Sequence, residues 1–163
     1  MAKRILVPVG DVTRAEAIVP VVASLARESG GTVRLLSVQP LQRTRFDDYG
    51  RTLPFYGSDI GITLDVPRRV LAYGHANEER LESESLERLR RLEPLLDGVP
   101  TERAVRFGDV IEEIAREAHA FGADLVAVTE RRRRWWRPLL ARIADRVRAG
   151  IGVPVLALSG GAR

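Results

Sequence analysis

Asp124-Leu125-Val126-Ala127-Val128 is apolar at every position after its aspartate, and it runs straight into Thr129-Glu130-Arg131-Arg132-Arg133-Arg134-Trp135-Trp136-Arg137-Pro138. A short extended run with no polar alternation suits a strand buried on both faces, which is the position of strands in a parallel sheet covered by helices. Working outward, four other runs read as strands: Arg4 to Val9, Val33 to Val38, Thr101 to Phe107 and Val153 to Leu158. Helical patterns separate them. Thr13-Arg14-Ala15-Glu16 has the spacing of a capping box and opens a helix with Ala15, Ile18, Val19, Val22 and Ala26 on one face, which Gly30-Gly31 ends. A charged helix starting at Asn77 carries Leu81, Leu86, Leu89 and Leu92 and closes at Asp97-Gly98-Val99-Pro100. Asp109-Val110-Ile111-Glu112 caps another, with Ile111, Ile114, Ala115 and Ala118 inward and Gly122 as its stop. A last helix is predicted over Pro138–Ala149, with Leu139, Leu140, Ile143 and Val147 as its apolar side.

The alternation of strand and helix predicts an α/β fold: an open five-stranded parallel sheet, taken in the order 3-2-1-4-5, with helices on both faces. The ligand crevice of such a sheet lies beyond the carboxyl ends of the strands, where the winding direction reverses, here between the first and fourth strands. The loops at those ends are Val9-Gly10-Asp11-Val12-Thr13 and Thr129 to Arg137, so the arginine stretch is expected at the mouth of the crevice.

The chain has 163 residues, 45% hydrophobic and 29% charged, which fits one globular domain over 1–163. Residues 39–76 form a long irregular insertion in that reading. They show no clear period, include Pro40, Gly50, Pro54, Gly57, Gly61 and Pro67, and carry short strand pieces near Ile62 to Val66. No apolar run reaches the roughly 18 to 20 residues that span a bilayer, so the expectation is a cytoplasmic protein without membrane association. The absence of cysteine excludes disulfides, thiolate metal sites and cysteine nucleophiles. Residues 129–148 hold eight arginines against Glu130 and Asp145, a net of +6, so the rest of a chain of net charge +4 carries −2. Any anionic partner is therefore to be sought at that patch.

Several pieces together resemble the universal stress protein family. They are Ile5-Leu6-Val7-Pro8-Val9, the Gly108 to Ala115 element, Gly122 to Val128, Ala144-Asp145-Arg146-Val147 and Val153-Pro154-Val155-Leu156-Ala157. The resemblance spans nearly the whole chain. It implies a five-stranded parallel sheet, homodimers often joined through the last strand (153–158 here), and membership of one of two classes, ATP-binding or not. In ATP-binding members a G-x-x-G-x9-G-(S/T) loop follows the fourth strand, its glycines letting backbone N–H groups approach phosphate. With a gap of about one residue, Thr129, Arg132, Ala141 and Arg142 fall at the positions of the two glycines and the Gly-Ser pair, and none matches. Gly10 stands where the family's first-strand acid is usual, with Asp11 next to it. Val9 and Val128 end their strands beside this cleft, and Val38 suits the family's adenine contact, although a valine at a strand end is also ordinary core.

Two readings stay open. In the first, the protein is a stress-response or regulatory protein with a degenerate nucleotide cleft, no cofactor, and action through a homodimer and an unidentified protein partner. In the second, ATP or another phosphate-containing ligand is held by arginine side chains, Arg131 to Arg134 and Arg142, in place of glycine backbone. A nucleic-acid patch built from the arginines with Trp135 and Trp136 is the weaker third, because such surfaces draw residues from several elements. No enzyme is expected. The serines lie in no nucleophile-elbow context, and His75 and His119 have no spaced partner. Asp47-Asp48 reads as a solvated pair, and no metal is expected.

Overall fold

Strand β1 (Arg4–Pro8) leads through a short turn into helix α1 (Val12–Ser29) and on to β2 (Thr32–Gln39). The computed structural model describes residues 2–39, 66–130, 149 and 152–159, and of residues 66–76, 130 and 159 it describes the backbone only. After β2 come α2 (Val66–Arg90), a 3-10 turn (Glu93–Leu96), β3 (Thr101–Phe107), α3 (Val110–Phe121), β4 (Leu125–Glu130) and β5 (Val155–Ser159). The five strands make one sheet in the order β3-β2-β1-β4-β5. Every pairing is parallel, with Ile5 opposite Val33 on one side of β1 and Leu125 on the other. The sheet and its order are those the strand patterns predicted.

The chain separates into two compact units, Met1–Pro40 with Ser85–Arg163 and Leu41–Glu84. In the second unit Arg80 pairs with Glu84 at 3.7 Å and donates to Asn77 at 3.3 Å, the spacing that brings helical neighbours together. The first unit holds the sheet. Its alternating strand residues feed two cores. Ile5, Val7 and Leu35 face Ile18, Val19 and Val22 of α1 together with Leu89, Leu92 and Leu96, while Leu6, Leu36 and Val126 face Ile114, Ala118 and Phe121 of α3. Helices therefore cover both faces, as a sheet apolar on both sides requires.

Two expectations are corrected. Helix α2 begins at Val66, eleven residues before Asn77, because Pro67 sits in its first turn, where the missing N–H would be unpaired in any residue. The part of the insertion at 40–65, with Asp47-Asp48 and Ile62, lies outside the described residues, as do the arginine-tryptophan stretch from Arg131 and the Pro138–Ala149 helix apart from Ala149. The cap of α1 is Asp11, whose Oδ1 accepts from the Thr13 N–H at 3.0 Å, so Thr13 is the second helical residue and not the cap.

The other caps follow the sequence. Asp109 accepts from the N–H groups of Ile111 and Glu112 at 3.0 and 3.1 Å. Gly30 and Gly122 end α1 and α3 at φ of 63° and 65°, a left-handed conformation that costs a residue with a Cβ about 1 kcal/mol or more.

Between α3 and the β2–β3 side of the sheet lies a charged cluster. Glu117, 1% exposed, accepts from Arg34 Nη1 and Arg106 Nε, each at 2.6 Å, and Arg34 also pairs with Glu102. The Arg34 guanidinium stacks 4.2 Å from the Phe121 ring centroid. Burial works against charge on Arg34, but the hydrogen bonds and charges of Glu102 and Glu117 outweigh it and raise its pKa above that of a free arginine.

Candidate functional site

At the carboxyl ends of β1 and β2 the sheet opens into a cavity of about 550 Å³. Its first wall is the β1–α1 turn. Val9 continues the β1 ladder by donating its N–H to the Leu36 carbonyl at 2.7 Å, and the chain then turns through Gly10 and Asp11 into α1. A Cβ on Gly10 would meet nothing within 4 Å, so this wall is open backbone. Asp11 splits its carboxylate, one oxygen capping α1 and the other 3.7 Å from Arg14 Nε, and it remains half in water.

The second wall is the end of β2, Ser37, Val38 and Gln39, and the third is the last turn of α2 with Ser85, Arg88 and Leu89, followed by Arg91. A polar chain joins them. Gln39 Nε2 donates to Ser37 Oγ at 3.2 Å and to Ser85 Oγ at 3.0 Å, and Arg88 Nη2 donates to Ser85 Oγ at 2.9 Å. Ser85 is fully buried, so this chain satisfies a hydroxyl that would otherwise be a costly orphan. Among the described residues no carboxylate lies within ion-pair distance of Arg88 or Arg91. The cavity thus sets one carboxylate against two guanidinium groups across a half-apolar interior.

Of the residues singled out from sequence, the cavity brings together Val9, Gly10, Asp11 and Val38. Val128 and Thr129 do not line it. They lie within β4, paired with Ala157 and Leu158 of β5. Thr129 is therefore part of a strand ladder and not the first residue of a loop. Arg132, Ala141 and Arg142 lie outside the described residues. The described cleft sits on the β2 side of β1; the loop after β4, where the winding rule placed the crevice mouth, lies outside the described residues.

Sequence reasoning missed Ser37, Gln39, Ser85, Arg88 and Arg91. One signal for Ser85 existed: it stands four, seven and eleven residues before Leu89, Leu92 and Leu96, on the same helical stripe. His119 is exposed in the last turn of α3 and remote in the chain from every cavity residue.

A parallel sheet in this order, with helices on both faces and a cleft at its carboxyl edge, defines a doubly wound, Rossmann-like α/β class of protein. The model of the universal stress protein family matches residues 63–159, and the chain belongs to that family. No curated protein sequence matches it. Among solved structures it is similar to hypothetical protein MJ0577, at TM-score 0.69 and 18% identity over 100% of this chain and 99% of that one. It is also similar to a universal stress protein in complex with cAMP, at TM-score 0.59 and 12% identity over 98% of each chain. A third is the universal stress protein from Archaeoglobus fulgidus in complex with dAMP, at TM-score 0.53 and 17% identity over 96% of this chain and 98% of that one. At these identities the likeness is one of fold. Among the described residues no helix is long and apolar enough to cross a membrane.

Proposed function

We propose that this is a regulatory stress protein that catalyses no reaction and whose cleft holds a small nucleoside-type ligand, without the phosphate loop of the family's ATP binders. One observation carries the ligand: the 550 Å³ cavity between the open Gly10 backbone and the Ser37–Gln39–Ser85 chain, with Val38 as an apolar contact and Asp11 as a hydroxyl acceptor. Its size suits one nucleoside. The complexes of two relatives with cAMP and dAMP support the same ligand class. The lack of the ATP loop is supported by Thr129, which pairs with Leu158 within the sheet where that motif would need its first glycine. Arginine side chains supply the anion contacts in this reading, as in the second of the two left open by the sequence, which named Arg131 to Arg134 and Arg142, residues outside the described ones.

The non-catalytic part rests on the pocket hydroxyls. A nucleophilic hydroxyl needs a base to take its proton, and the partners of Ser37 and Ser85 are donors, Gln39 and Arg88. In the same reading ligand occupancy is passed to a protein partner through a homodimer. The apolar β5 edge, Val155–Ser159, would be left with unpaired backbone groups unless a second copy covers it.

Calorimetric titration with adenosine tests the cleft. Saturable binding in the native chain, lost in Gly10→Phe with an unchanged melting temperature, is the expected result, since a side chain at Gly10 is built into open space. Absent binding, or binding indifferent to Gly10→Phe, would refute it.

A further inference from the structure

We infer that the cleft has its own phosphate subsite, formed by Arg88 and Arg91 at the end of α2, and that it selects a nucleoside carrying a single phosphate. The inference rests on the cleft reading above and adds which residues hold the anion and how much anion they can hold.

Three observations carry it. Arg88 and Arg91 are three residues apart at the end of a helix, a spacing that puts both side chains on one side, and both line the cavity. Arg88 is oriented by the bond from its Nη2 to the buried Ser85 Oγ, which leaves its other donors unassigned. Among the described residues no carboxylate neutralises either guanidinium; Arg4, Arg27 and Arg90 share this, whereas Arg14, Arg34, Arg80, Arg103, Arg106 and Arg116 have acidic partners, and of the unneutralised arginines only Arg88 and Arg91 line the cavity. Arginines in the last turn of a helix also complement its dipole. That role needs no cavity, no anchoring serine and no absence of counter-ions.

The geometry separates the two ends of a ligand. Asp11 can only accept, and from the β1–α1 turn it suits the hydroxyls of a ribose. Arg88 and Arg91 can only donate, and from α2 they suit phosphate oxygens, which guanidinium groups grip in pairs. With Asp11 at −1 and the two arginines at +2, the cavity lining carries +1. That charge offsets half of one phosphate dianion. A triphosphate carries about twice the charge of a monophosphate and would exceed it further, with no further cation among the described lining residues. A monophosphate should therefore bind at least as well as a triphosphate, with no requirement for Mg²⁺.

The test is titration calorimetry of the full chain with adenosine, AMP and ATP, with and without Mg²⁺, for the native protein and for Arg88→Gln/Arg91→Gln. The native protein should bind AMP at least about tenfold more tightly than adenosine, and ATP no more tightly than AMP. In the double variant AMP should fall to the adenosine level while adenosine itself is unaffected, which also shows that the cleft is still folded. Arg88→Lys/Arg91→Lys, which keeps charge but loses the paired donors, should recover only part of the preference. Equal binding of AMP and adenosine by the native protein, or a preference that survives Arg88→Gln/Arg91→Gln, overturns the subsite and leaves the cleft standing. Failure of adenosine to bind at all overturns both.

Discussion

Glu117→Gln should be the most damaging isosteric change in the sheet-bearing unit. The carboxylate is 1% exposed and each oxygen receives an arginine at 2.6 Å, Arg34 on one side and Arg106 on the other. Glutamine keeps the shape but removes the charge, and its NH₂ turns a donor toward one of two guanidinium groups that can only donate. Breaking a buried ion pair by removing one partner costs about 3–5 kcal/mol. The value here falls at or just below the bottom of that range. The Arg106 side chain is 48% exposed and turns to water, and Arg34, at 22%, keeps Glu102 and its stacking on Phe121. A loss of about 2–3 kcal/mol follows, or about 4–12 °C in melting temperature for a chain of this length. Urea unfolding of native and variant protein, followed by far-UV circular dichroism, reads it as a shift in midpoint at constant slope. A double-mutant cycle with Arg34→Gln and Arg106→Gln should assign the larger coupling to Arg34, the less exposed partner. A midpoint shift worth less than about 0.5 kcal/mol would refute the argument, because a surface ion pair of the same geometry would give that much.

Gly31→Ala should cost about 2–3 kcal/mol in the same urea assay, because its Cβ would collide with the Lys3 carbonyl oxygen and come within 2.9 Å of the Lys3 nitrogen, backbone atoms fixed by the β1–β2 ladder. Leu92→Ala, at a fully buried position, should cost about 2–5 kcal/mol, and a loss under about 1 kcal/mol would place Leu92 outside the core. Asp109→Ala should cost about 1 kcal/mol through loss of the α3 cap, with Asp109→Asn recovering most of it. The stabilising pairing of Arg34 raises its pKa, so its contribution is complete below the ordinary arginine value and is lost only as pH rises through the raised one. The penalty of Arg34→Gln should therefore be the same at about pH 7 and about pH 9, and a penalty that shrinks over that interval would contradict the assignment.

The sheet was legible because its signal is one of period and sign. Runs such as Ile5-Leu6-Val7 and Leu125-Val126-Ala127 are apolar without alternation, and only a strand covered on both faces tolerates that. Helix ends were legible where one residue decides them, as at Asp109 and Gly30. They were not where two signals compete. Pro67 both breaks and begins helices, and Asp11 stood two residues before an equally plausible Thr13. The polar interior was harder because its cause is tertiary. Glu117 falls on the stripe Ile114, Ala118, Phe121, and Ser85 on the stripe Leu89, Leu92, Leu96, yet nothing in either helix names the Arg34 or Gln39 that makes its burial affordable. The cleft residues of β1 and β2 were found because strand ends are where this architecture puts ligands. Arg88 and Arg91 were not, because both are exposed, and an exposed arginine at the end of a charged helix carries no sequence mark of lining a cavity.

The pairing of β1 sets a timetable for synthesis. Its first partner, β2, is complete by Gln39, but its second, β4, begins 120 residues after Ile5, at Leu125. At about 5–20 residues per second on the ribosome, the β4-facing edge of β1 stays bare for about 6–24 s while the β1–α1–β2 unit is already present. During that interval Ile5, Leu6 and Val7 form an open, apolar strand edge able to pair with a neighbouring nascent copy, so each new chain spends its greatest exposure to aggregation before its own fourth strand has been made.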